Sequence, residues 1–169
     1  PAWSAGYAEY QTRTISGFRG SDKFLNTVLP HEITHLIFND YVGSGKVIHK
    51  WFSEGVALSQ EENIRKQFLE QVGKALHQHY FIPNYLLNDE AFKGVHNYDF
   101  TYLSYAEAGL LIDFLISNYG PEKFVQLCRE LRDGKDLESA IQAAYRGSLN
   151  SIENLEAKFI EKFSVDGAY

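Results

Sequence analysis

The chain has 169 residues, 44% of them apolar and 15% aromatic, enough to enclose a full hydrophobic core in one domain and too apolar for a disordered chain. Its formal charge of −6 and pI near 5.5, without any basic block, exclude nucleic acid and anionic membrane surfaces as natural partners. The single cysteine, Cys128, excludes an internal disulfide framework, and the longest apolar run, AGLLIDFLI, is too short to span a bilayer and is broken by Asp113. The expectation is a soluble chain with no membrane insertion. No basic n-region with an apolar h-region is present, and the chain begins at Pro1 and contains no methionine, so it reads as a single domain, 1–169, excised from a longer or processed protein.

From Pro1 to Gly20, aromatic and β-branched residues punctuated by glycine predict one or two short strands with a turn. A helical pattern then runs from Lys23 to about Asp40 behind Ser21 or Asp22 as N-cap, with a kink expected at Pro30. After the loop VGSGK, a second long helix is expected from near Trp51 to about Tyr80, with Ile64, Phe68, Val72 and Leu76 on one stripe. Residues 81–100 carry turn signals and no sustained period, and are expected to wrap over the surface as an irregular connection. Tyr102 to Tyr119 is apolar almost all round and is the expected central helix. Gly120 and Pro121 stop it and start the next, which aligns Phe124, Leu127, Cys128 and Leu131. Two short helices follow, one from near Asp136 and one from Asn150, where Asn150 and Glu153 resemble a capping box.

Within the first helix lies LPHEITHLIF, residues Leu29 to Phe38. Positions i and i+4 of a helix sit about 40° apart around its axis, so His31 and His35 project side by side and can share one metal ion. Glu32 lies about 100° round from His31, poorly placed as a third ligand and well placed to hold a water at such an ion. A random chain with 6 His and 14 Glu contains HExxH with a probability of only about 2%, so the motif outweighs the reading of two ordinary histidines. A catalytic zinc usually takes a third protein ligand. KWFSEGVALS supplies one: Glu54 lies nineteen positions after His35 among Trp51, Phe52, Val56, Ala57 and Leu58, where an unpaired carboxylate would be costly to bury, and Gly55 permits close approach.

His31-Glu32-x-x-His35, eighteen intervening residues, then Glu54 within WFSEGVA resembles the zinc signature of the gluzincin metallopeptidases, with the spacing of the alanyl and leucyl aminopeptidases and of the peptidase-MA-like domains. The small size and the run SYAEAGLLIDFLISNYGPEKFVQLCREL are most similar to the latter. The resemblance implies a mainly α, thermolysin-like zincin fold with a small N-terminal β element and a helical C-terminal part. It implies Zn2+ as cofactor, His31, His35 and Glu54 as its ligands, Glu32 as general base, and a peptide or protein as substrate. It also implies a tyrosine that donates to the oxyanion: Tyr105 matches by position, with Tyr102 and Tyr98 as alternatives. The aminopeptidases carry a GxMEN strand whose glutamate holds the substrate amine; the comparable stretch here, GYAEY, keeps Glu9 and lacks the Met and Asn, so exo- and endopeptidase activity both stay open. His96, in the irregular connection, is a further candidate substrate contact, and His49 a residue near the site. His77 and His79 read as exposed, and Cys128 as a buried structural thiol. The competing class is a non-catalytic, zinc-stabilised peptide-binding domain, which has no need of Glu32.

Overall fold

The structure, a computed structural model, describes residues 6–9, 11–17, 24–43, 48–61, 64–87, 89, 91–92 and 98–165. It is mainly helical with a small N-terminal β element, as expected. Strands β1 (Gly6–Glu9) and β2 (Thr14–Gly17) form an antiparallel hairpin that pairs Gly6 with Gly17 and Glu9 with Thr14. The paired glycines have a packing reason. A β-carbon on Gly6 would overlap Val28, and one on Gly17 would overlap the Phe24 ring, so the bare hairpin end is where the next segment docks.

That segment is a π-helical turn, Phe24–Val28, running directly into α1 (Leu29–Val42). The backbone stays helical through the junction, as the expected helix from Lys23 to about Asp40 requires, and Pro30, which has no amide to donate, falls in the first turn of α1 just after the change from π to α pitch. The expected second helix, by contrast, is two. α2 (Lys50–Leu58) and α3 (Ile64–His77) are separated at the polar run SQEEN, and on α3 Phe68, Val72 and Leu76 are buried as the stripe requires.

α4 (Tyr98–Tyr119) is the central helix and starts four residues earlier than expected; α2 and α3 both pack on it. Gly55 makes the first contact possible, since a methyl group there would overlap the carbonyl oxygen of Ala108 and the Ile112 side chain. α5 (Pro121–Arg132) follows Gly120, whose φ of 90° is the left-handed stop, and buries Leu127 and Leu131. α6 (Leu137–Ala144) is capped by Asp136, whose carboxylate accepts from the Ser139 amide at 2.8 Å. α7 (Ile152–Val165) is capped one residue later than expected, by Ser151 in place of Asn150, through an Asn154 amide at 3.0 Å. Among the described residues no helix is long and apolar enough to cross a membrane.

The connection after α3 is not a surface wrap. Ile82, Asn84, Leu87, Ala91 and Phe92 are buried, with a 3-10 turn at Asn84–Leu86. Sunken backbone needs acceptors for its amides, and two carboxylates provide them. Glu107 of α4, fully buried, accepts from the Ile82 amide at 3.2 Å, and Glu156 of α7 accepts from the Asn84 amide. Burial, with Glu156 nearby, pushes the Glu107 carboxyl up to about 9. An acid whose pKa is raised by folding binds more protons folded than unfolded, here between its ordinary 4.5 and about 9, so it makes stability fall as pH rises through that window. Glu107→Gln, neutral throughout, is expected to melt with a flatter pH dependence than the parent and to gain on it most at pH 8–9. Parallel melting curves over that range would contradict this.

Candidate metal centre

α1 presents His31 and His35 one turn apart, their rings edge-on with centroids 4.8 Å apart. α2 runs beside α1 and brings Glu54, whose side chain is only 6% exposed, to the same place. The three donor atoms form a triangle: His31 Nε2 to His35 Nε2 is 3.1 Å, His31 Nε2 to Glu54 Oε2 is 3.4 Å, and His35 Nε2 to Glu54 Oε2 is 3.6 Å. Ligand bonds of 2.0–2.1 Å in a tetrahedron put neighbouring donors about 3.3 Å apart, so these atoms suit one zinc-sized ion on three vertices, with no fourth His, Cys, Asp or Glu ligand in the group among the described residues.

Each of the three side chains is also held from behind. Glu61 Oε1 lies 2.7 Å from His31 Nδ1, and a carboxylate only accepts, so that nitrogen carries the proton and Nε2 faces the cluster. Ser53 Oγ is 3.2 Å from His35 Nδ1, and Lys50 Nζ donates to Glu54 Oε1 at 2.6 Å. Sequence reasoning missed all three. Glu61 had a signal, because seven residues are two helical turns and place it on the face of Glu54; its amide bonds the Leu58 carbonyl at 3.0 Å, extending the turn beyond α2.

Without a metal the cluster is an ionic knot. Burial opposes charge on His31, yet the hydrogen bonds its ring donates to Glu54 and Glu61 overcome it and raise the imidazole to about 9. Burial likewise works against the charged form of Glu54, and hydrogen bonds with His31 and His35, with the charges of His35 and Lys50, hold its carboxyl well below the usual range. A metal at these atoms would displace the second His31 proton, the one on Nε2, and leave that on Nδ1.

Glu32, next to His31 in sequence, is half-buried, as is Tyr105 of α4. Burial, then the charges of Glu54, Glu32 and Glu61, push the Tyr105 phenol far up, so it stays protonated. Its hydroxyl donates to the Phe92 carbonyl at 3.4 Å, and its ring stands edge-on to Phe92. Tyr102 packs its ring against Phe68 of α3. Glu9 is exposed at the end of β1, and His49 is exposed at the start of α2, whereas His96 lies outside the described residues. His77 and His79 are exposed, and Cys128 is half-buried, its thiol pushed up to about 11 by burial.

No curated protein and no solved structure gives a significant match to the chain. A family model for the peptidase MA superfamily matches residues 1–162. With nearly the whole length matched, the chain belongs to the peptidase MA superfamily, whose members are peptidase-like and typically metal-dependent.

Proposed function

We propose that this chain is a zinc-dependent peptidase, with His31, His35 and Glu54 holding the ion, Glu32 as general base and Tyr105 as oxyanion donor. The observation that carries the reading is the donor triangle, with edges of 3.1, 3.4 and 3.6 Å and every ligand fixed from behind. Zinc bound there supplies Lewis acidity toward the scissile carbonyl and toward water. Glu32 takes the proton from the attacking water and passes it to the leaving amine. Tyr105 exchanges its bond to Phe92 for one to the developing oxyanion. The hairpin packs on α1, and an extended peptide can add as a further strand along its β2 stretch, Thr14–Gly17.

The test is to strip the metal and titrate zinc against cleavage of a mixed peptide library, with cleavage expected to saturate at one equivalent. A folded, zinc-loaded protein that cleaves nothing favours the peptide-binding alternative. Two further outcomes are expected. Tyr105→Phe keeps zinc and substrate affinity but lowers kcat about 10²- to 10³-fold, as for other oxyanion donors. Glu61→Ala, which frees the His31 ring to turn, weakens zinc about 10- to 100-fold in a chelator competition. Unchanged kcat or unchanged affinity removes the respective role.

A further inference from the structure

Glu54 offers the donor triangle one oxygen, Oε2, while its other oxygen, Oε1, accepts from Lys50 Nζ at 2.6 Å. Helix stability does not account for this pair. Lys50 is the first residue of α2, where the helix dipole disfavours a cation, and lysine four residues before glutamate is the weaker orientation of such a pair. Nor is it an ordinary surface pair, since the Glu54 side chain is only 6% exposed against 38% for Lys50. What the contact does is occupy the oxygen that the metal triangle leaves unused.

A carboxylate with both oxygens free can bind a metal through one or both. In this site a second Glu54 oxygen would crowd the fourth vertex, the position left for substrate and solvent. We propose that Lys50 is a positioning residue that holds Glu54 to one-oxygen ligation. Its ammonium, 2.6 Å from Oε1, engages that oxygen and fixes the plane of the carboxylate, leaving Oε2 as the oxygen that meets His31 and His35. The inference rests on the zinc reading above and adds to it the residue that keeps the coordination number low.

The test compares the parent with Lys50→Met and Lys50→Arg, each stripped of metal, checked for a parent-like circular dichroism spectrum, and loaded with Co2+ or with Zn2+. The parent and Lys50→Arg are expected to give the intense visible bands of four-coordinate cobalt, and Lys50→Met the several-fold weaker bands of five-coordinate cobalt. Zinc affinity by chelator competition is expected to rise about tenfold in Lys50→Met, which gains a ligand oxygen and loses a nearby cation. A Lys50→Met protein with parental bands overturns the proposal, whether its zinc affinity is unchanged or merely weaker. A parent that takes up neither metal overturns the zinc reading, and this inference with it, so the two failures are distinguishable.

Discussion

Glu32→Gln is expected to lower kcat about 10²- to 10⁴-fold, some 3–5 kcal/mol of barrier, while leaving zinc content and melting temperature unchanged. The amide keeps the shape of a half-buried side chain at the start of α1 and removes only the proton acceptor. Glu32 is not among the three groups that converge on the metal position, so the ion has no reason to leave with its charge. The check is kcat together with bound zinc in the same preparation. A variant as active as the parent would remove Glu32 as the general base, and one that lost zinc would make Glu32 a ligand.

Glu54→Ala is expected to weaken zinc roughly a thousandfold or more, because two histidines leave the ion short of a ligand and of compensating charge. The same substitution should change the pH dependence of binding. In the parent, His31 keeps its proton up to about 9, so zinc competes with that proton at lower pH; affinity rises with pH, by about tenfold per unit, and levels off above about 9. A hydrogen bond to Glu54 is the leading influence that raises His31, so removing it brings the plateau to lower pH. Chelator competition between pH 6 and 9.5 reads both effects. Parental affinity in Glu54→Ala would remove it from the ligand set.

How much of this was legible follows the range of the forces involved. The pairing of His31 with His35 is a property of helical pitch and needs no tertiary information. Glu54 was accessible only through its spacing and the surrounding WFSEGVA, because a carboxylate on another helix reaches the histidines only once α2 docks on α1 and α4. Gly55 announced a close approach without naming its partner, which is the backbone of α4. Glu61 escaped because the apolar fourfold period concealed the break between α2 and α3, although the polar run SQEEN marked it. The burial of Ile82 and Asn84 was hidden for another reason. Their amides are satisfied by Glu107 and Glu156, which lie 25 and 72 positions further along the chain and which no local pattern links to them.

The most direct measurement of the proposed zinc site is anomalous diffraction at the zinc edge from crystals grown with one equivalent of zinc. A single strong peak is expected at bonding distance, about 2.0–2.2 Å, from His31 Nε2, His35 Nε2 and one oxygen of Glu54, with Glu61 still on His31 Nδ1. A peak elsewhere, or one that met the two histidines without Glu54, would contradict the proposed site.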